Sequence, residues 1–254
     1  MRTIVLANQK GGVGKTTAAV NLAAGLALAG NTVLLIDMDP QANATLAVLG
    51  RNPPEVSVYQ LLMKPHLEVG DAIVETKQDN LAVIPSHINL AGAGRELDGA
   101  TRGQIRLREK VASLAPDAYD FLVIDAPPSL GLLTINALAA AHEIIIPVEA
   151  SVFGLQGMSQ LHQTIQLTRT KLDCPQLHIM GILRNRYERT NVARDMTQIL
   201  TDQFGDCLFN TIIPKNIKLE EAHSRNLSIY AYAPTSTGAI AYAHLVEEVI
   251  AYGS

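Results

Sequence analysis

The segment Lys10-Gly11-Gly12-Val13-Gly14-Lys15-Thr16-Thr17 constrains this chain more than any other. It follows the apolar run Ile4-Val5-Leu6-Ala7 and precedes an amphipathic helical pattern that begins near Lys15. A strand, a glycine-rich turn and a helix in that order bring backbone N–H groups and the positive end of a helix dipole to one point, a ready anion site. Gly11, Gly12 and Gly14 leave room for those N–H groups, with that of Val13, to approach phosphate oxygens. Lys15 is placed to reach the β and γ phosphates of ATP. Thr16 offers a hydroxyl oxygen to Mg2+, a hard cation that prefers oxygen ligands. Thr17 serves the α-phosphate or caps the helix.

The general phosphate-loop pattern expects a further glycine where this chain has Gln9. Lys10 stands at the entrance instead, too early to duplicate Lys15 and placed to reach phosphate held by a neighbouring subunit. A second apolar run ends in Asp37-Met38-Asp39-Pro40-Gln41, and a third, Phe121-Leu122-Val123-Ile124, ends in Asp125. Ligands bind beyond the carboxyl ends of strands in open parallel sheets, so these carboxylates are expected to face the phosphates. Phosphoryl transfer depends on positioning and electrostatics, and Asp39 is the candidate to orient the attacking water. The metal set is Thr16, Asp37 and Asp125; the catalytic set is Lys10, Lys15 and Asp39.

Short apolar runs at 3–8, 32–37, 81–85, 121–125, 143–148, 178–185 and 208–214 alternate with helical patterns at 15–29, 103–114, 130–141, 155–171, 192–204 and 237–252. That alternation predicts an α/β fold, a doubly wound, mostly parallel sheet with helices on both faces. The 254 residues, 48% hydrophobic, suit one domain over the whole chain, with 52–79 as an insertion of short helices. No apolar run approaches the roughly 18 residues of a membrane span, and no signal peptide pattern follows Met1, so a cytoplasmic protein is expected. Cys174 and Cys207 are far apart, lack metal-ligand spacing and read as plain thiols. A net charge of -4 excludes a wholly basic surface, and 4% aromatic residues without Trp exclude stacking platforms for single strands.

With these motifs, Ile213-Pro214-Lys215-Asn216-Ile217-Lys218-Leu219-Glu220-Glu221-Ala222 and Tyr232-Ala233-Pro234-Thr235-Ser236-Thr237-Gly238-Ala239 complete a pattern that resembles the ParA/Soj branch of the ParA-MinD deviant Walker ATPases over nearly the whole chain. The resemblance implies an ATP-dependent switch. ATP would join two copies into a homodimer, the dimer would bind double-stranded DNA without sequence preference, and a ParB-like or cargo-adaptor protein would trigger hydrolysis. It further implies that Lys10 crosses the dimer interface, that Gly11 lies where the two loops meet, and that Asn185 and the backbone around Pro214 contact adenine. DNA contacts would fall on Arg189, Lys215 and Lys218, with Arg194 and Arg225 as additions, on a nucleoid-associated protein. These cations are interleaved with Glu188, Asp195, Asp202, Asp206, Glu220 and Glu221, so a patch forms only if folding gathers the cations.

Two departures stand out. Ala126 occupies a position where the family often has Thr, and the segment 147–155 changes side chains near the expected dimer surface. The alternative is a membrane-associated ATPase of the MinD kind, which needs a basic amphipathic C-terminal helix; the tail here is acidic. Electron transfer on the same scaffold would need cysteines beside the nucleotide motifs, and Cys174 and Cys207 are elsewhere. A small-molecule kinase would need an acceptor pocket that the sequence does not reveal. No helix-turn-helix extension precedes the first strand, so sequence-specific DNA binding is not expected.

Overall fold

A strand covered by helices on both faces has no polar side, which is why the apolar runs here are continuous. The computed structural model describes residues 1–50, 54–149 and 156–252. In chain order the elements are β1 (Arg2–Leu6), α1 (Lys15–Leu28), β2 (Val33–Asp37), α2 (Asn43–Leu49), α3 (Val58–Met63), β3 (Val74–Glu75), β4 (Leu81–Ile84), α4 (Leu90–Asp98), α5 (Arg106–Val111) and β5 (Phe121–Asp125). There follow α6 (Leu132–Ala140), β6 (Glu143–Glu149), α7 (Gln156–Lys171), β7 (His178–Tyr187), α8 (Asn191–Phe204), β8 (Leu208–Pro214), α9 (Ile217–Ser224), α10 (Ile229–Tyr232) and α11 (Thr237–Ala251).

The strands form one eight-stranded sheet in the order β3-β4-β2-β5-β1-β6-β7-β8. Every pairing is parallel except β3 against β4. Successive residues of β1 alternate between two cores, as a period of two requires. Ile4 and Leu6 join α1, α2 and α9 to α11, while Val5 joins α3 to α7. The first strand is therefore central, with β5 and β2 on one side and β6 on the other. The registers Leu6↔Asp125 and Asp37↔Asp125 bring the last residues of β1, β5 and β2 level with one another.

The expected doubly wound architecture is present. Helices α2, α4, α9 and α10 and strand β3 were not expected from sequence. The helices α2, α9 and α10 span seven, eight and four residues, too short for a full apolar period to register, and α4 carries Gly92 and Gly94. The pattern at 103–114 resolves into a 3-10 turn, Gly103–Ile105, followed by α5. The expected insertion of short helices holds α3, a 3-10 turn at Val69–Ala72 and the two-residue edge strand β3. Its opening residues, Asn52 and Pro53, lie outside the described residues.

Ser57 starts α3 with a capping box closed by Gln60. Lys110 of α5 fixes the end of that helix. Its buried ammonium donates to the carbonyls of Lys64, Pro65 and Leu67 at 3.2, 2.8 and 2.5 Å. These bonds use all three donors of the group. Lys110→Met keeps the stem and strands three carbonyls, so it is expected to destabilise the chain by about 1–3 kcal/mol, read as a lower denaturant midpoint.

Candidate nucleotide-binding site

The loop after β1 is built so that its carbonyls are occupied by side chains. Asn8, 4% exposed, donates to the Pro147 carbonyl at 2.7 Å and accepts from the Lys10 N–H at 3.0 Å. The Lys15 ammonium donates to the Lys10 carbonyl at 3.1 Å. Asn185, at the end of β7, donates to the carbonyls of Val13 and Gly14 at 2.9 and 3.3 Å. Among the described hydrogen bonds, none is donated by the backbone N–H groups of Gly11 through Thr16. Turning the carbonyls away in this manner leaves the N–H groups for an anion at the N-terminus of α1. Thr17 follows in the first turn and lines the neighbouring cleft.

Gly12 and Gly14 adopt φ of 75° and 83°, the left-handed region that favours glycine. Gly14 is also sterically confined, because a Cβ there would meet Asn185 Nδ2 at 2.5 Å. Gly11 is exposed, with nothing within 4 Å of a Cβ, so a larger side chain is accommodated within one copy of the chain.

Lys15 is 6% exposed, and burial lowers its pKa while the charges of Asp125 and Asp39 raise it. Asp125 is fully buried with neither oxygen hydrogen-bonded in good geometry. Burial pushes its pKa well up, and Asp37 and Asp39 push the same way; the Thr16 hydroxyl and Lys15 oppose them. Asp37 is fully buried too and is raised chiefly by burial, against hydrogen bonds from Thr45 and Asp39. Asp39, 8% exposed, accepts from the Gln41 N–H at 3.0 Å. Three carboxylates around one ammonium leave an excess of buried negative charge, which a divalent cation relieves. No group of three or more His, Cys, Asp and Glu forms a metal cage among the described residues. A cation held by one protein hydroxyl, phosphates and water suits this donor set.

The expected residues are thus gathered at one place, with two changes of role. The Asp37 carboxylate is occupied by Thr45 and by the Asp39 N–H, so its first task is to hold the 38–45 turn. Asn185 lines a cleft of about 220 Å³ with Pro214, Asn216, Leu219 and His223. Its amide protons face the phosphate loop and its oxygen accepts from the Arg186 N–H. What remains for a base is one acceptor lone pair.

Lys10 meets Glu149 of its own chain at 3.0 Å. Sequence reasoning gave Thr45 no role and took in Glu149 only as part of the 147–155 segment, because no local pattern links either to its partner. The side-chain changes expected at 150–155 lie outside the described residues. Cys174 is buried and Cys207 half-buried, both free thiols away from this site.

The candidate DNA residues cluster at the far edge of the sheet. The register Tyr187↔Pro214 sets the ends of β7 and β8 side by side, Arg189 follows the first and Lys215 and Lys218 the second. All three are exposed. Lys215 pairs with Glu188, Lys218 with Glu221 at 2.8 Å, and neighbouring Arg186 with Glu220 at 3.2 Å. Arg225 lies over the Tyr232 ring and Arg194 bonds Asn191. Lys215 lies near Arg186 and Lys218 near Arg225, each lysine beside an acid.

Gly14→Ala is expected to cost about 1–2 kcal/mol for the left-handed backbone alone. It also displaces Asn185 from the loop carbonyls, so binding of a fluorescent ATP analogue should fall in the same variant.

A family model described as an AAA domain matches residues 1–179. The chromosome-partitioning ATPase Soj of Treponema pallidum is 44% identical over 253 residues, covering 98% of this chain and 97% of its own. Soj of Thermus thermophilus is 45% identical over 252 residues, covering 99% and 96%. Among solved structures, cobyrinic acid a,c-diamide synthase of Mycobacterium smegmatis with a bound ATP analog and magnesium is similar at a TM-score of 0.83 and 32% identity, over 98% of this chain and 94% of that one. A plasmid partition protein of Borrelia burgdorferi is similar at a TM-score of 0.79 and 26% identity, over 98% and 97%. With this identity sustained from end to end, the chain belongs to the Soj/ParA family of deviant Walker ATPases.

Proposed function

We propose that this chain is an ATP-dependent positioning ATPase: ATP joins two copies, the dimer holds DNA without sequence preference, and an adaptor protein that stimulates hydrolysis releases it. The observation that carries the reading is the gathering of Lys10, Lys15, Asp39 and Asp125 around a loop whose N–H groups are left for phosphate. Lys15 and the loop backbone, Gly11 to Thr17, bind and orient the triphosphate. Thr16 and Asp125 would hold magnesium, which when bound would supply positive charge against the phosphate oxygens. Asp39 orients the water, and the cleft at Asn185 and Pro214 takes adenine, with Asn185 accepting from the amino group.

Lys10 would act on the phosphates of the other copy, for which it must leave Glu149. That pair is about one-third exposed on each side. Exposed pairs contribute only about 0–1 kcal/mol, so a triphosphate easily outweighs it. Asp39→Ala leaves binding intact and removes the water-orienting group. With ATP and magnesium it is expected to accumulate as a dimer in light scattering; a persistent monomer would contradict the assignment.

The similarity to an M. smegmatis diamide synthase raises a metabolic alternative. ATP-driven amidation releases free phosphate as the switch does, so the separating readout is amide formation on an added carboxylate with ammonia or glutamine, which the switch does not carry out. A membrane-bound reading of the MinD kind is disfavoured by α11. Its apolar residues Leu245, Val246 and Val249 are buried in the core, and the Val249 carbonyl accepts from Arg2 at 2.8 Å. No helix among the described residues is long and apolar enough to cross a membrane.

For DNA, phosphates would replace Glu188 and Glu221 as partners of Lys215 and Lys218, a near-even exchange that leaves counterion release as the gain. Arg189→Glu combined with Lys218→Glu is expected to weaken retention on DNA at least tenfold in low salt with ATP affinity unchanged. Equal retention in a filter-binding assay would remove this surface from the reading.

A further inference from the structure

Asp37 is wholly buried, and its hydrogen bonds run to one residue outside every recognised motif. Its Oδ2 accepts from the Thr45 N–H at 2.8 Å and from the Thr45 hydroxyl at 2.7 Å, while its Oδ1 accepts from the Asp39 N–H at 3.1 Å. The Thr45 hydroxyl in turn accepts from the Ser86 N–H at 2.8 Å. A hydroxyl has one proton to give, and here it is given to Asp37, since Ser86 N–H can only donate. Thr45 is itself fully buried. The ends of β2 and β4 and the first turn of α2 are thereby joined at one oxygen.

The same bonds fix Asp39. Its N–H is held by Asp37, its carbonyl accepts from the Ala42 N–H at 2.9 Å, and its Oδ1 accepts from the Gln41 N–H at 3.0 Å. Among the described hydrogen bonds only Oδ2 is left without a partner, which orients that oxygen alone for a water. The turn needs this support. Ala42 sits at the N-cap of α2 with φ 55° and offers no capping side chain, so Asp37 performs the capping from β2 by accepting from Thr45.

We propose that Thr45 is a positioning residue for hydrolysis, holding Asp39 in register through Asp37. The inference rests on the reading of Asp39 as the group that orients the attacking water. Removing the Thr45 hydroxyl unpairs the Ser86 N–H and one lone pair of Asp37, leaving the carboxylate held only by the Thr45 and Asp39 N–H groups. The Asp39 backbone is then anchored to a carboxylate held less tightly. Displacements near 1 Å in a positioned group cost about 100-fold in rate. Thr45 makes none of the described bonds to the phosphate loop, so ATP affinity is not affected.

The test is single-turnover phosphate release with Thr45→Val and Thr45→Ser, beside Asp39→Ala and the double variant Asp39→Ala/Thr45→Val. Thr45→Val is expected to be about 10- to 100-fold slower with the affinity for a fluorescent ATP analogue within twofold. Thr45→Ser, which keeps the donor, restores the rate to within about threefold. The double variant is no slower than Asp39→Ala alone. Should Thr45→Val fail to fold, Thr45→Cys, with similar volume and a weak donor, takes its place with the same slowing expected. Full activity in Thr45→Val, no recovery with Ser, or a loss of ATP affinity equal to the loss of rate overturns the proposal. Failure of the underlying reading has a different signature: Asp39→Ala would hydrolyse ATP at the unaltered rate.

Discussion

The buried charge at the carboxyl ends of β1, β2 and β5 is the constraint to which the rest of the structure answers. Asp37 and Asp125 are level with each other by register and both are out of contact with solvent. Ionised carboxylates in that setting are strongly disfavoured unless hydrogen bonds or opposite charge compensate. The two are compensated differently. Asp37 is satisfied by protein, through Thr45 and Asp39, and becomes architecture. Asp125 is left without a described hydrogen bond of good geometry beside Lys15 and Thr16, which in the proposed reading leaves its oxygens for the magnesium shell. Equivalent positions on adjacent strands thus differ because Thr45 gives Asp37 both its N–H and its hydroxyl, whereas neither Asp125 oxygen has a described hydrogen bond of good geometry.

How much of this was legible follows from the range of each interaction. The phosphate loop reads directly because glycine conformation and lysine spacing are local. Gly12 and Gly14 occupy left-handed backbone as a motif of this kind requires. The place of Asp125 reads because an apolar run ending in a carboxylate marks the end of a strand, and β5 does end there, level with Asp37. The Asp37–Thr45 bond spans eight residues and the Lys10–Glu149 pair 139, and no periodicity connects such positions. The missed helices fail for another reason. Short segments such as α2 and α10 are held by bonds supplied from elsewhere, Asp37 for the first and Asn21, which accepts from the Ile229 N–H at 2.7 Å, for the second. Intrinsic pattern cannot announce a helix whose stability is tertiary.

The charged edge beyond β7 and β8 illustrates the limit of counting residues. In sequence, the cations and acids of the C-terminal half nearly cancel. In space they cancel pair by pair, since Lys215, Lys218 and Arg186 each hold a glutamate. Such a surface has weak attraction at long range and yields cations only to a polyanion close enough to displace the acids. Its contribution to DNA binding would be small per copy and would grow when two copies present it together. In the proposed switch, such a balanced edge would make affinity for DNA depend on assembly more than on the charge of one chain.

Asn185 connects these two levels. Its amide holds the carbonyls of Val13 and Gly14, and it lines the cleft bounded by Pro214 and Lys215. A side chain at Gly14 would have to displace Asn185 and would sit on left-handed backbone. In the proposed reading, a base in the cleft and phosphates in the loop would share one side chain as a neighbour. Lys215 extends the connection, since its N–H donates to the Tyr187 carbonyl, two residues beyond Asn185, at 3.0 Å. The end of β7 is thus anchored to the phosphate loop on one side and to the start of the cationic turn on the other. In the proposed switch, a shift of the loop would have a covalent and hydrogen-bonded route to Lys215 through the end of β7, with Asn185 as its first step.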